Sequence, residues 1–144
     1  MVTTPTVVVP IEGARLYSVS GMVLATFMGT PLASGWLMAR NYRALGDNAN
    51  AGQCLIYATV ATVAILALTF LLPESIPAFA FSLPQLLVVG YIAKRLQGDR
   101  IEAYRTQDRL YSNWRAFGIG ILSLIGLLLV VIPTAIAMAM FDLI

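Results

Sequence analysis

A chain of 144 residues that is 59% hydrophobic and 11% charged has too few polar side chains to cover a soluble core. The composition therefore predicts a membrane protein, and the net charge of +2 is too small to favour nucleic-acid binding. The chain has no histidine and a single cysteine, Cys54, which disfavours haem, zinc or serine–histidine chemistry and excludes an internal disulfide.

Four runs of uncharged residues predict the membrane-spanning helices. They cover residues 17–39, 53–72, 75–93 and 116–141, and each is close to the roughly 20 residues that cross about 30 Å of hydrocarbon. Residues 1–15 are expected to form a mobile tail, and residues 16–144 a single transmembrane domain. The predicted fold class is therefore an all-α, polytopic membrane protein with four transmembrane helices.

The positions of the basic residues predict the orientation of these helices. The first loop carries Arg40 and Arg43, the third loop carries six more Lys and Arg residues, and the second loop, PESIP, carries none. Because cytoplasmic loops are enriched in Lys and Arg, the first and third loops are predicted to be cytoplasmic and both termini periplasmic. Aromatic rings collect at the same boundary. The residues predicted to set topology and interface are Trp36, Arg40, Arg43, Lys94, Arg95, Trp114 and Arg115.

Small residues repeat along one face of the first predicted helix. Gly21, Ala25, Gly29 and Ala33 are spaced by four, which places them on one side of a helix and lets another backbone approach closely. The favoured interpretation is tight packing within a four-helix bundle. The alternative is that one such face points outward and binds a partner or a second copy of the chain.

Prolines and polar side chains share a level in the first and third predicted helices. At about 1.5 Å per residue, Pro31 and Pro84 lie roughly 12 to 13 Å from the cytoplasmic ends of their helices. Gln85 is the most polar side chain within a predicted span, and we expect it to bond the carbonyl of Phe27 that Pro31 leaves free. A polar cluster that joins the two helices is the favoured interpretation, and a ligand or ion site is the alternative. The residues of this level are Thr30, Pro31, Ser34, Ser82, Pro84 and Gln85.

Residues 94–115 connect the third and fourth predicted helices. From Asp99 onward, Ala103, Leu110 and Trp114 belong to a helical pattern, and the arginines lie mostly elsewhere around the helix. We predict a short amphipathic helix that rests on the inner leaflet, where the arginines meet anionic headgroups. The alternative is a docking face for a cytoplasmic partner.

Chemically active groups are missing from the predicted spans. No Asp, Glu, Lys or Arg lies deep in any of them, which weighs against a proton-coupled transporter. The sequence also lacks the common motifs for nucleotide binding, nucleophilic catalysis and metal ligation. We therefore predict that the protein is not an enzyme, has no catalytic or metal-binding residues and uses no cofactor.

The run LYSVSGMVLATFMGTPLASGWLMARNYRALG resembles the opening of a widespread group of small bacterial inner-membrane proteins to which no activity is assigned. The shared motifs are LYS at residues 16–18, ATFMG at 25–29, PLASG at 31–35 and NYR at 41–43. Thr30 departs from the glycine that is usual in the group. The resemblance implies a four-helix protein of the bacterial inner membrane and supplies no active residue.

Two functional hypotheses remain open from the sequence. The leading one is a non-enzymatic inner-membrane protein that binds a membrane protein partner, in an accessory, assembly or immunity-type role. The alternative is a small oligomeric channel or uniporter for a neutral solute. Both hypotheses place the helices in the lipid bilayer. Both also require that the helices contact either a partner protein or further copies of the chain.

Overall fold

The structure is a computed structural model that describes residues 8–73 and 75–141. These residues form five α-helices and no strand, which confirms the all-α prediction. The helices are α1 (Val19–Met28), α2 (Pro31–Ala44), α3 (Asn48–Leu71), α4 (Phe79–Arg105) and α5 (Asn113–Met140). Outside the helices, Leu16 and Leu110 form an isolated parallel β-bridge.

The first predicted span, residues 17–39, is not one helix. α1 ends at Met28, and Thr30 is extended, with φ −146° and ψ 170°, before Pro31 begins α2. Proline has no N–H and a fixed φ, so it fits the first position of a helix, where that N–H has no partner in any case. Pro31 therefore starts a second helix, and the prediction of a single helix that contains this proline is wrong.

α1 and α2 fold back on each other as a helical hairpin. Tyr17 lies just before α1 and Asn41 lies in the last turn of α2, yet their polar groups meet. The Tyr17 N–H donates to Asn41 Oδ1 at 2.7 Å, and Asn41 Nδ2 donates to the Tyr17 carbonyl at 3.0 Å. The two ends of the first predicted span are therefore neighbours, and the tip of the hairpin is Gly29–Thr30.

The hairpin reaches about halfway along a membrane-length helix. α1 runs parallel to the first part of α5, because Ser18 Oγ donates to Asn113 Oδ1 at 2.8 Å and the hydroxyls of Thr30 and Ser123 lie 3.2 Å apart. Residues 113 and 123 are separated by about 15 Å along a helix, at roughly 1.5 Å per residue. This depth is about half of the roughly 30 Å of hydrocarbon in a bilayer.

The three long helices pack against the hairpin and not against one another. A Cβ added to Gly29 would lie 2.5 Å from the carbonyl oxygen of Gly120 in α5, and one added to Gly35 would overlap Ala58 in α3. Within the described residues, no Cα of α3, α4 or α5 lies within 8 Å of a Cα of another of these three helices. The prediction of a helical bundle is confirmed, but the described residues form five helices where four were predicted. The short hairpin occupies the centre, where a four-helix bundle would place contacts between the long helices.

α4 includes most of the residues that were predicted to form a separate cytoplasmic loop. The predicted span of residues 75–93 and loop of residues 94–115 are replaced by one helix that passes through Gly98 and ends at Arg105. Glycine inside a helix costs about 1 kcal/mol relative to alanine, which packing can offset. Gln97, Ile101 and Tyr104 are buried, so one face of this part of α4 packs against the protein.

Two of the described helices are long and apolar enough to cross a membrane, where four were predicted. They are α3, with a mean hydropathy of 2.3, and α5, with 2.7. Their side chains away from the hairpin have no cover within the described chain: Phe70 in α3 is 72% exposed and Leu129 in α5 is 71% exposed. Leu87 in α4 is likewise 74% exposed. Exposure of these apolar side chains to water is unfavourable, whereas contact with an apolar solvent is favourable.

The buried core lies at one end of the molecule, around the open end of the hairpin. It consists of Leu16, Tyr17, Met22, Ala25, Ala33, Leu37, Met38, Ala93, Ile101, Tyr104 and Ala116. The N-terminal segment belongs to this end, because the Leu16 N–H donates to the Arg109 carbonyl and the Tyr111 N–H donates to the Leu16 carbonyl, at 3.2 and 2.8 Å. The prediction that residues 8–15 lie at the opposite end from Arg40 and Arg43 is wrong, since the hairpin reverses the chain.

The N-terminal tail and the start of α3 are both fixed by specific hydrogen bonds at this end. Residues 1–7 of the predicted mobile tail lie outside the described residues, but the Ile11 N–H donates to the Tyr104 hydroxyl at 2.9 Å. Asp47 caps α3, accepting from the side chain and the N–H of Asn50, and these bonds hold the pKa of the Asp47 carboxyl below its usual 3.8. The cap is therefore present at neutral pH and is lost only as the pH falls below that value.

Candidate functional site

An apolar groove opens between α3 and α4, with α2 as its floor. Its volume is about 560 Å³, and its walls come from all three helices. The groove exists because α3 and α4 each contact α2 but diverge from each other. Its lining includes small residues on every wall, namely Gly35, Ala58, Ala61 and Ala80. A cleft of this size and composition can hold an apolar ligand, a lipid chain or a helix of another protein.

The structure brings together four of the six residues of the predicted polar level. Pro31, Ser34, Pro84 and Gln85 all line the groove. Within the described residues, Gln85 makes no hydrogen bond to the Phe27 carbonyl, so this predicted contact is not formed. Its physical basis is absent, because Pro31 begins a helix and does not interrupt one. Whether the four residues form a ligand site stays a prediction.

The other two residues of the polar level point elsewhere. Thr30 shares a hydrogen bond with Ser123 in α5, and Ser82 Oγ donates to the Ala78 carbonyl one turn earlier in α4, at 3.1 Å. Ser34 lines the groove, but its hydroxyl donates to the Pro31 carbonyl at 2.9 Å. The hydroxyls of the level therefore form hydrogen bonds with the nearby backbone or with another helix. Gln85 is the main polar side chain that remains available in the groove.

The predicted stripe of small residues packs inside the chain. A Cβ on Gly21 would lie 3.2 Å from the Cβ of Ala116, and one on Gly120 would lie 2.7 Å from the carbonyl oxygen of Ala25. Gly21, Ala25 and Gly29 thus hold α1 against α5. Ala33 follows the break and is buried in the core from α2. The outward-facing small residues belong instead to α3 and α4, along the groove.

The sequence analysis did not predict a pair of buried side-chain amides. Asn41 and Gln97 are each 1% exposed, and Asn41 Nδ2 donates to Gln97 Oε1 at 2.9 Å. Gln97 Nε2 in turn donates to the Met38 carbonyl at 3.0 Å. With the two bonds between Asn41 and Tyr17, this amide lock joins the N-terminal segment, α2 and α4. The helical spacing of Ala93, Gln97, Ile101 and Tyr104 was the pattern that could have revealed it.

The predicted topology and interface residues collect at the end of the molecule that holds the amide lock. The guanidinium of Arg40 lies 5.3 Å from the Trp36 ring centroid, and that of Arg115 lies 4.6 Å from the ring of Tyr111. Arg95 donates to the Tyr91 hydroxyl at 2.7 Å on the exposed face of α4. Lys94 and Trp114 are exposed beside them. Arginine over aromatic rings is typical of a membrane boundary.

A second, smaller pocket lies at the same end. It has a volume of about 270 Å³ and is lined by Arg15, Arg40 and Arg43 together with the adjacent, mutually tilted rings of Tyr17 and Tyr111. The centroids of the two rings are 4.6 Å apart. Within residues 8–73 and 75–141, no group of three or more His, Cys, Asp or Glu side chains is arranged to hold a metal ion.

No protein-family model, curated protein or solved structure matches this chain. The groove and the basic pocket are concave sites within the described residues that can hold a ligand or a partner.

Proposed function

We propose that the chain is a multi-pass protein of the bacterial inner membrane in which α3, α4 and α5 cross the bilayer and the α1–α2 hairpin is re-entrant. The length and apolarity of α3 and α5 support the crossings. The uncharged part of α4, residues 79–93, spans about 22 Å at roughly 1.5 Å per residue. Lys94 and Arg95 follow it, and their long side chains reach the headgroups while local thinning accommodates the remainder.

The distribution of basic residues supports the orientation. All nine Lys and Arg residues of the chain belong to the end with the amide lock, because the hairpin brings Arg15 to the same end as Arg40 and Arg43. The positive-inside rule makes this end cytoplasmic. The described N-terminal segment is then cytoplasmic too, and three crossings place the far end of α5 in the periplasm.

We further propose that the protein is non-enzymatic and binds a membrane protein partner, whose transmembrane helix occupies the groove between α3 and α4. The missing α3–α4 contact is the observation that carries this proposal. Helices associate in lipid through close packing, which small residues permit, and Gly35, Ala58 and Ala61 line the groove. A partner helix there would supply the contacts that α3 and α4 do not make with each other. An accessory, assembly or immunity-type role fits such binding.

Photocrosslinking in native membranes tests the groove directly. A photoreactive amino acid at Ala61 faces the groove, and the same amino acid at Val63, which is 59% exposed, lies on the opposite side of α3 at the same depth. We expect a crosslink to one defined protein from position 61 and crosslinks to lipid from position 63. In addition, Ala61→Leu fills the groove and should abolish co-purification of that same protein, whereas Val63→Leu should not.

Two results would contradict partner binding in the groove. Lipid alone at both positions would show that acyl chains fill it. A crosslink from position 61 to a second copy of this chain would replace the partner by a homo-oligomer. In both cases Ala61→Leu would leave co-purification of other proteins unchanged.

A channel or uniporter for a neutral solute is the second candidate. Its specific support is the N-terminus of α2, which lies at mid-depth in the groove with Ser34 and Gln85 nearby. Half-helix ends at this depth line the solute paths of several membrane proteins. Liposome flux that Gln85→Leu abolishes and Ser82→Ala preserves would favour this candidate over partner binding.

A further inference from the structure

The pocket that holds Arg15, Arg40 and Arg43 is built by two separate segments of the chain. Arg40 and Arg43 are three residues apart in α2 and so lie on the same side of that helix. Arg15 comes from the N-terminal segment and is positioned by the β-bridge of Leu16 to Leu110. The fold therefore gathers three cations from two distant segments of the chain around a volume of about 270 Å³.

The amide lock holds this arrangement in place. Asn41 also lines this pocket, and it is bonded to both the N–H and the carbonyl of Tyr17. Tyr17 is two residues from Arg15, so the same bonds fix the distance between the N-terminal segment and α2. Because the two segments are already held together, the pocket loses less conformational entropy when it binds an anion.

The three guanidinium groups are not neutralised within the described chain. Arg105 pairs there with Glu102 at 3.5 Å, whereas Arg15, Arg40 and Arg43 pair with no carboxylate. No acidic side chain lines the pocket among the described residues. Three like charges around one small volume repel one another unless a counter-charge lies between them. The site is therefore complementary to a compact anion that carries several acceptor oxygens.

We propose that this pocket binds a phosphate ester. Guanidinium groups present paired N–H donors that match phosphate oxygens. A phosphate offers more charge and more acceptor oxygens to three guanidinium groups than a single carboxylate does. The proposed bilayer places the pocket at the cytoplasmic boundary, where basic pockets between helices bind anionic lipid headgroups. A phosphorylated small molecule from the cytoplasm offers the same chemistry. The inference is independent of which partner, if any, occupies the groove.

Binding by the purified full-length chain tests the proposal in two arms. In the lipid arm, native mass spectrometry and thermal shift compare short-chain phosphatidylglycerol with short-chain phosphatidylcholine. In the soluble arm, calorimetry follows glycerol 3-phosphate added to the chain in phosphatidylcholine nanodiscs. The pocket variant is Arg40→Gln/Arg43→Gln. Its control is Arg95→Gln/Arg105→Gln, which removes the same charge from the same end but outside the pocket.

We expect the pocket variant to weaken binding in at least one arm by about tenfold or more, and the control by less than about threefold. A loss confined to the lipid arm identifies the headgroup, and a loss in the soluble arm identifies the free phosphate ester. Arg15→Gln alters a residue outside the helices and should also weaken binding, which keeps the test valid if the double variant misfolds. Equal losses in pocket and control variants, or no binding by the wild-type chain in either arm, would overturn the proposal.

Discussion

At the scale of single residues, the buried amides Asn41 and Gln97 determine how the basic end of the molecule is assembled. Both are surrounded by the core, and every bond between them and Tyr17 or Met38 is 3.0 Å or shorter. A buried amide stabilises a fold only when its donors and acceptors are satisfied, since an unpaired one carries its full desolvation penalty. The lock therefore specifies one arrangement of the N-terminal segment, α2 and α4 and penalises others.

Replacing Gln97 should expose this dependence. Gln97→Leu removes the acceptor for Asn41 Nδ2 and leaves a buried N–H unpaired, so we expect a loss of about 1–3 kcal/mol in the free energy of unfolding. Gln107→Leu makes the same chemical change at an exposed position and should leave stability nearly unchanged. Denaturant unfolding in detergent, followed by circular dichroism, measures both. Equal stability of the two variants would show that the amides do not lock the fold.

A comparison of Gln97 with Gln85 shows which properties of a residue the sequence can predict. The sequence places Gln85 within a predicted span and Gln97 in the predicted loop that starts after Ala93. The structure reverses their importance, since Gln97 is buried and Gln85 only lines an open groove. Polarity is readable from sequence, but burial depends on which helix covers a residue, and α2 covers Gln97 only because the hairpin turns back.

At the scale of elements, the break at Gly29–Thr30–Pro31 converts a predicted crossing into a hairpin. Every residue of the break is compatible with a long apolar helix in composition, which is why hydropathy predicted one span. Local chemistry favours the break, because Pro31 is suited to begin a helix and Gly29 tolerates close approach by α5. The tertiary contact with Gly120 then fixes the position of the tip.

The glycine contact between α1 and α5 can be tested within one helix. Gly120→Ala would place a Cβ 2.7 Å from the Ala25 carbonyl oxygen, so we expect it to separate the helices and destabilise the protein by about 1–3 kcal/mol. Gly126→Ala meets no atom within 4 Å and should be neutral or stabilise by up to about 1 kcal/mol through helix propensity. The unfolding temperature should therefore fall for Gly120→Ala and stay unchanged or rise for Gly126→Ala. A parallel shift would mean that α1 and α5 are not in contact.

At the scale of the whole molecule, the proposed re-entrant hairpin lowers the number of crossings from the predicted four to three, and it would thereby change the side of the membrane on which the N-terminal segment lies. Four crossings would put the N-terminal segment and the loop of Asn48 on opposite sides, whereas three crossings and a re-entrant hairpin put them on the same side. The basic residues favour the second arrangement, since it alone collects Arg15 with the other cations.

Cysteine labelling distinguishes the two topologies. In a Cys54→Ala background, we expect Glu12→Cys and Asn48→Cys to be protected from a membrane-impermeant thiol reagent in intact spheroplasts, and Ser75→Cys to react. All three positions are exposed in the structure, so reactivity reports sidedness and not burial. Labelling of Glu12→Cys together with Ser75→Cys would support the four-crossing topology and contradict the re-entrant hairpin.

The sequence by itself determined that the chain is helical and apolar and that its basic residues mark one boundary, because composition and charge act locally and do not depend on the fold. The tertiary structure decided that residues 17–39 turn back, that Gly98 lies inside a helix and that α3, α4 and α5 diverge around the hairpin. These features depend on contacts between distant residues, such as Tyr17 with Asn41 and Gly29 with Gly120. Hydropathy along the chain carries no information about such contacts, and the groove and the arginine pocket therefore depend on the tertiary structure.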